Sequence, residues 1–278
     1  MKVTFWGTRG SLASPGTDTA RYGGNTSCVS VEGPEKTLLI LDAGTGIRNL
    51  GQSLSPSPHK VHILLTHLHM DHIQGLPFFT PLRRQGAEIH VWGPASTTLG
   101  LEARLQKYLS PPLFPVSVRE LASEIHFHEL PALIEIDEFV IKAQLIIHPN
   151  PTIGYRIQHG NAAVTYLPDH EPALGGQTFP YDKSWTSGYA LAEGSDLLIH
   201  DTQYTKEEYK TRVGFGHSSI EHAFQFANLC DVKHFVPFHH DPTHNDDQLD
   251  RIFEATLENL QPSYLVTPSR EGMAIEVA

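Results

Sequence analysis

The sequence predicts an α/β fold in which β-sheets are covered by amphipathic helices. In the last third of the chain, short apolar strands alternate with helices, which is the order of βαβ units. Upstream, the apolar run 61–65 stops at Thr66 and is typical of a buried strand. A chain of 278 residues can bury a substantial core, and no linker or solenoid repeat divides it. We therefore predict a single domain over 1–278.

The individual elements follow from hydrophobic period and turn residues. Strands are predicted at 3–5, 27–31, 38–41, 61–65, 88–92, 125–130, 139–147, 154–158, 163–167, 196–200 and 234–238. Helices are predicted directly after 42–46, at 77–85, 97–109 and 205–212, after residue 218, and over 249–260. The helix at 77–85 would carry Pro77 in its first turn. Ser218 and Glu221 have the spacing of a capping box at the start of the next helix.

Composition restricts the classes of function. The net charge of −11 and the lack of a Lys/Arg cluster argue against a long nucleic acid as partner. No stretch is apolar enough to span a bilayer and the N-terminus lacks a signal-peptide core, so we expect a cytoplasmic location and no membrane partner. Cys28 and Cys230 are predicted to be core residues rather than a disulfide framework. Eighteen histidines against twenty lysines and arginines point towards metal chemistry.

A set of metal ligands is predicted directly after the strand 61–65. His67, His69, Asp71 and His72 fall within six positions. Neutral imidazole and carboxylate are ligands of zinc, and a short loop after a strand can direct them at one or two ions. The alternative is a polar surface turn. Asp42, at the end of the neighbouring predicted strand, would lie near this loop and accept a hydrogen bond from a ligand rather than bind metal itself.

Ligand-type residues also end other predicted strands. His148 and Asp169 each follow one, and the pair His239 and His240 follows the last. Strand ends meet along one edge of a sheet layer, where a rigid site can form. The sequence therefore predicts that these residues join the loop 67–72.

The loop 67–72 resembles the His-x-His-x-Asp-His signature of the metallo-β-lactamase superfamily. This resemblance implies an αββα sandwich, the metallo-β-lactamase fold, and a centre of two Zn²⁺ ions, with Mn²⁺ or Fe²⁺ as alternatives. By position, the first ion would be held by His67, His69 and His148, and the second by Asp71, His72 and His239, with Asp169 bridging both. His239 is chosen over His240 because the resemblance places this ligand four residues after Phe235.

The segments 148–156 and 216–219 resemble ribonuclease Z and its phosphodiesterase relatives. Leu197 to Thr202 resembles the segment where those enzymes carry a His-Glu-Ala-Thr motif, with Asp201 in place of the glutamate. The resemblance implies phosphodiester hydrolysis, for which we name Asp71, His217 and Asp201 as catalytic. His217 would be the general acid, oriented by Asp201. The glycine-rich loops 7–11 and 21–26 either present Arg9 or Arg21 to a phosphate or are plain hairpin loops.

The predicted substrate is a small phosphodiester, with cyclic nucleotides as the best guess. Ribonuclease Z enzymes generally hold tRNA with a protruding arm, in many inserted between the third histidine and the bridging aspartate. Here that interval, 149–168, has only 20 residues, which two strands and a turn use up. The loop 174–187 could carry an arm but contains a single lysine, Lys183.

Three rival functions stay open at the level of sequence. They are hydrolysis of another ester such as a lactone on the same metals, tRNA 3′ processing, and metal binding in a non-catalytic regulatory domain. The oligomeric state is also open, with a homodimer among the options.

Overall fold

The computed structural model describes residues 1–54, 60–173 and 179–278. The strands are β1 (Lys2–Gly7), β2 (Cys28–Glu32), β3 (Leu38–Leu41), β4 (Lys60–Leu64), β5 (Glu88–Gly93), β6 (Glu124–Glu129), β7 (Leu133–Ile136), β8 (Phe139–Ile146), β9 (Thr152–His159), β10 (Ala162–Leu167), β11 (Leu197–Asp201), β12 (His234–Phe238), β13 (Leu265–Val266) and β14 (Ala274–Glu276). The α-helices are α1 (Ile47–Ser53), α2 (Met70–Ile73), α3 (Leu101–Gln106), α4 (Tyr189–Ala192), α5 (Lys206–Tyr209), α6 (Ile220–Leu229) and α7 (Asp246–Leu260). Short 3₁₀ turns lie at Thr17–Thr19, Leu76–Phe78, Thr80–Arg83 and Val118–Glu120.

The described strands form two seven-stranded sheets. The first sheet has the order β14-β1-β2-β3-β4-β5-β6, and the second has the order β13-β12-β11-β10-β9-β8-β7. Within the second sheet, β10, β11, β12 and β13 are parallel. The carboxyl ends of parallel strands lie at one edge, so the residues that follow β10, β11 and β12 are brought together there.

The two sheets pack face to face, and helices cover their outer faces. Phe5, Phe139 and Phe238 belong to the core between the sheets. Residues of α1 and α3 cover the first sheet, and residues of α6 and α7 cover the second. Central strands are consequently buried on both faces, as in β3 and β10, where every residue is buried. The predicted α/β class and αββα sandwich are confirmed.

Several predicted helices are shorter than expected. The segment 77–85 forms two 3₁₀ turns, because Phe79 is extended and Pro81 cannot donate the hydrogen bond that a continuous helix needs. The helix predicted at 97–109 begins only after Gly100, and the one at 205–212 is reduced to α5. The capping box was also misplaced: Ser219 is the cap of α6 and accepts from the His222 N–H at 3.1 Å.

The sequence did not predict β7, β13, β14 or α4, which are all four residues or shorter. Of the predicted loop 174–187, the part 174–178 lies outside the described residues. In the described ranges, no helix combines the length and apolar character needed to cross a bilayer. The division of the chain into domains stays a prediction.

Candidate metal centre

The loop that follows β4 is organised by the buried carboxylate of Asp42. This carboxylate accepts hydrogen bonds from the Thr66 N–H at 2.7 Å, from His72 Nδ1 at 2.7 Å and from the Tyr166 hydroxyl at 3.0 Å. Asp42 itself adopts a left-handed backbone conformation, with φ 59°. Asp42 thus fixes the turn after β4 and the ring orientation of His72, which is the orienting contact that the sequence predicted.

The first group of candidate ligands comprises His67, His69, His148 and Asp169, with one donor atom from each within 4.8 Å of the others. His148 Nε2 lies 3.2 Å from His69 Nδ1 and 3.7 Å from Asp169 Oδ2. His67 Nε2 lies 3.8 Å from the same oxygen. Three rings and one carboxylate oxygen therefore face a common point.

The second group comprises Asp71, His72, His239 and, again, Asp169. His72 Nε2 and His239 Nε2 lie 2.9 Å and 3.2 Å from Asp169 Oδ1, and both lie 3.3 Å from Asp71 Oδ2. Asp169 thus turns one oxygen to each group, as expected of a bridging ligand. His240 belongs to neither group, since its Nε2 donates to the Ser269 carbonyl at 3.0 Å.

The hydrogen bonds of these residues leave their cluster-facing atoms suited to the coordination of two divalent ions. In four of the rings Nδ1 donates a hydrogen bond. The acceptor is the Thr66 hydroxyl for His67, the Asp42 carboxylate for His72, the Gly216 carbonyl for His148 and the Gln203 side-chain oxygen for His239. In each neutral ring the lone pair then lies on Nε2, which faces the cluster. Among the described residues, the buried atoms His67 Nε2, His72 Nε2 and Asp169 Oδ1 have no partner in hydrogen-bond geometry, although the last two lie 2.9 Å apart. Buried polar atoms without partners are costly, and metal coordination would satisfy them.

The pKa shifts of the residues in the two groups also favour binding of a cation. Burial by itself would raise the pKa of Asp169, but neighbouring His239 and His72 hold that pKa well below its usual range. Burial lowers the pKa of His67 and His148. Burial would lower the pKa of His72 too, but three carboxylates, led by Asp169, raise it well above the usual value. Metal binding would displace that proton from His72.

His217 and Asp201 form a hydrogen-bonded pair beside both groups. His217 Nδ1 donates to Asp201 Oδ2 at 2.6 Å, and Asp201 Oδ1 accepts from the Gln203 N–H at 2.9 Å. The His217 ring centre lies 5.0 Å from those of His148 and His239, one from each group. Burial raises the pKa of Asp201 and lowers that of His217. With Nδ1 engaged, any proton that His217 gives to a bound molecule comes from Nε2.

A family model described as the β-lactamase superfamily domain matches residues 37–240, more than half of the chain. The chain belongs to the β-lactamase superfamily. The predicted resemblance to this superfamily is confirmed, and the chain is accordingly a metal-dependent hydrolase.

Curated relatives of this superfamily member are named ribonuclease Z. The protein of that name from Staphylococcus epidermidis strain RP62A is 25% identical over 95% of this chain and 96% of its own length. That from Staphylococcus carnosus is also 25% identical, over 95% of both chains.

Solved structures share the fold. The short form of human tRNase Z has a TM-score of 0.66 at 22% identity and covers all of both chains. A diphosphatase of the PhnP family has a TM-score of 0.66 at 19% identity, covering 99% of this chain and 97% of its own. Zinc-bound PqqB from Methylobacterium extorquens has a TM-score of 0.70 at 17% identity, covering 99% of this chain and all of its own.

Sequence reasoning missed the residues that hold the candidate ligands in place. Gln203 Oε1 accepts from His239 Nδ1 at 3.0 Å, and its amide donates to the Ser11 hydroxyl at 3.1 Å. The Ser11 N–H donates to Asp71 Oδ2 at 2.8 Å. The neighbouring Gly10 permits this close approach, because a Cβ there would lie 2.4 Å from His239 Nδ1. A glutamine or serine in a polar loop gives no sequence signal for such a role.

Glu171 is a second residue that the sequence analysis missed. Its buried carboxylate accepts from the Tyr209 hydroxyl at 2.6 Å, from the Gly214 N–H at 2.9 Å and from the Gly216 N–H at 2.8 Å. The Gly216 carbonyl in turn accepts from His148 Nδ1 at 2.8 Å. Glu171 therefore fixes the loop that orients His148 and carries His217. Its position two residues after Asp169 was the one available hint.

The structure uses both arginines of the glycine-rich N-terminal loops in contacts with distant segments. Arg9 is not accessible to a phosphate, whereas the interpretation of Arg21 as a phosphate contact stays a prediction. Arg9 is fully buried, and its guanidinium donates to the carbonyls of Gly23 at 2.8 Å and His244 at 2.6 Å. Arg21 forms an ion pair with Asp250 at 2.7 Å. Both arginines are thus used to tie the N-terminal loops to the segment around α7.

Proposed function

We propose that this superfamily member is a phosphodiesterase with a dinuclear zinc centre, acting on small phosphodiesters such as cyclic nucleotides. The observation that carries this proposal is the position of the His217–Asp201 pair, 5.0 Å in ring-centre distance from a histidine of each ligand group. An alkoxide leaving group needs a proton, and an acid beside both metal positions can supply it.

Seven side chains would hold the ions: His67, His69 and His148 on one side, Asp71, His72 and His239 on the other, and Asp169 between them. Two bound divalent ions would activate a water and offset charge on the phosphate oxygens. His217 would act in its imidazolium form: it would deliver the Nε2 proton to the leaving group and become neutral, while its Nδ1 proton stays on the hydrogen bond to Asp201. Gln203 would hold His239, and Glu171 would hold the 214–217 loop, in a fixed position relative to the substrate. Asp71, as a ligand held by the Ser11 N–H, supports the same arrangement.

The preference for a small substrate rests on the interval between His148 and Asp169. The strands β9 and β10, which pair as a hairpin, fill that interval. A protruding arm therefore has no room there. The net charge of −11 adds a long-range penalty against a large polyanion, whereas a small monoanion needs only the local field of the ions. We keep a cytoplasmic location as part of this proposal.

The second candidate is tRNA 3′ processing. It is favoured by the name ribonuclease Z of the staphylococcal relatives and by the likeness to human tRNase Z. These names stand against the sequence-based expectation that long nucleic acids are not partners.

A competition experiment separates the two candidates. Zinc-loaded protein is given 3′,5′-cyclic AMP and a precursor tRNA together at physiological salt, with the Asp169→Ala variant as inactive control. We expect hydrolysis of the cyclic nucleotide and no cleavage of the tRNA. Specific removal of the tRNA 3′ trailer without turnover of any small diester would overturn the proposal. Turnover of lactones alone would assign a different ester, and zinc binding without any ester turnover would assign a non-catalytic domain.

A further inference from the structure

A second concentration of imidazoles lies on the first sheet, away from the candidate centre. His62 on β4, His90 on β5 and His126 on β6 are direct partners in the register of three adjacent parallel strands. Each is the third residue of its strand, whereas the loop 67–72 follows the carboxyl end of β4. We call His62, His90 and His126 the histidine column.

Strand register places these rings side by side in a stack. The ring centres of His62 and His90 are 4.7 Å apart and those of His90 and His126 are 4.9 Å apart, with interplanar angles of 17° and 22°. Carboxylates flank the column two residues upstream. Glu88 Oε1 lies 2.7 Å from His90 Nε2, and Glu124 Oε1 lies 3.2 Å from His126 Nε2. Glu88, His90 and His126 each offer a donor atom within 4.8 Å of the other two.

The column also has the outer contacts that orient metal-binding histidines. His90 Nδ1 lies at hydrogen-bond distance, 2.9 Å, from His128 Nε2, so its Nε2 is directed at Glu88. The His128 ring is stacked on Trp92 with a centre distance of 4.0 Å. A ligand histidine whose other nitrogen is held in this way has a fixed ring orientation.

We propose that Glu88, His90 and His126 form an additional divalent transition-metal site at this edge of the first sheet. Two imidazoles and one carboxylate favour Zn²⁺, and equally suit Cu²⁺ or Ni²⁺, over Mg²⁺ or Ca²⁺, which prefer all-oxygen sites. In the bound form, His90 Nε2 and Glu88 Oε1 would be ligands, while His90 Nδ1 would carry the ring's one proton and donate it to His128 Nε2. A proton on Nε2 would be released to solvent when the ion binds. Glu124, beside His126, supplies further negative charge.

Exposure is consistent with an accessible site. The side chains of His90, His126 and Glu88 are 15%, 37% and 45% exposed, so an ion can reach them from solvent. Because β6 is the last strand of its sheet, an ion shared by β5 and β6 would fasten an edge strand.

The test counts ions rather than turnover. Protein whose buried centre is already loaded is equilibrated with defined free Zn²⁺, and bound zinc is measured by elemental analysis for wild type, His126→Gln and the control His159→Gln. His159 lies at the end of β9, outside the column and the ligand groups. We expect wild type and His159→Gln to bind one ion more than His126→Gln, and Mg²⁺ not to substitute. Turnover of bis(p-nitrophenyl) phosphate should be equal in all three.

Two further variants test the additional metal site without depending on the folding of His126→Gln. Glu88→Gln removes the carboxylate ligand and should also lose the additional ion. His128→Leu removes the orienting contact and should weaken uptake of that ion by about 10- to 100-fold. Equal zinc uptake by wild type, Glu88→Gln and His126→Gln would overturn the site. That result would leave the proposed phosphodiesterase activity untouched, since none of these residues belongs to it.

Discussion

At the carboxyl end of β4, histidines converge with ligands from several other segments, whereas the histidine column follows the register of β4, β5 and β6. In the candidate centre, two of the ring nitrogens that face the cluster, His67 Nε2 and His72 Nε2, are buried and lack hydrogen-bond partners among the described residues. In the column, His90 is satisfied by Glu88 and His128, and the rings stack in parallel. The same side chain can thus serve a hydrolytic centre or a sheet edge. In the candidate centre, side chains from the ends of separate strands point at a common position. In the histidine column, the same residue type is repeated at paired positions along one face of a sheet.

The largest effect should come from the carboxylate shared by both ligand groups. Asp169→Ala removes an oxygen from each group, so we expect metal content to fall and turnover to drop by about 10³-fold or more, corresponding to about 4 kcal/mol. Glu88→Ala, at the column, should leave turnover unchanged. Elemental analysis and turnover of bis(p-nitrophenyl) phosphate measure both. Full activity of wild type with one bound ion would contradict a two-metal centre.

The next effect separates proton transfer from metal binding. His217→Ala should keep its metals and lose about 10²–10⁴-fold in kcat on substrates with alkoxide leaving groups. With p-nitrophenolate the loss should be much smaller, because that group departs without a proton. Steady-state kinetics on both substrate types give the comparison, and elemental analysis gives the metal content. Equal losses on the two substrates would remove His217 from the general-acid role.

A smaller effect is expected at Glu171, which contacts the centre only through backbone groups. Glu171→Gln weakens the bonds to the Gly214 and Gly216 N–H groups, so His148 and His217 lose their fixed loop. We expect kcat or metal affinity to fall about 10- to 100-fold, with a lower melting temperature. Glu207→Gln, an exposed carboxylate paired with Lys210, is the control and should change neither. Retention of full activity by Glu171→Gln would show that the loop is held by other contacts.

The smallest effect is expected at His62, the residue of the histidine column that lies farthest from the sheet edge. Burial lowers the pKa of His62 to about 4, below its unfolded value of 6.5, so the unfolded chain binds more protons between those pH values. The contribution of His62 to stability is therefore complete above pH 6.5 and is lost as the pH falls towards about 4. In His62→Gln, the free energy of unfolding obtained from urea titrations should depend less steeply on pH, because up to one proton fewer is bound on unfolding. His159→Gln should match wild type. Identical slopes in His62→Gln and wild type would show that His62 titrates normally.

Much of the fold and the ligand set could be read from the sequence because the signals are local. The apolar run before Thr66 predicted β4, and the spacing of His67, His69, Asp71 and His72 predicted a ligand loop at its end. The order of strands and helices predicted an α/β protein, and the resemblance sharpened this to an αββα sandwich. His148, Asp169 and the pair His239 and His240 were named as candidates because each follows a strand, and strand ends meet along one edge of a sheet. The choice of His239 over His240 came from the resemblance.

Only the tertiary structure decided which polar residues hold those ligands and which do not reach the centre. Arg9 was ambiguous in the sequence, and its burial against carbonyls of distant segments depends on packing that no local pattern encodes. Gln203 and Glu171 act through bonds to residues far along the chain, so their residue types alone carry no signal. The histidine column depends on the register of three strands separated by long connections. Sequence determines what each strand can offer, but pairing between distant strands decides which side chains become neighbours.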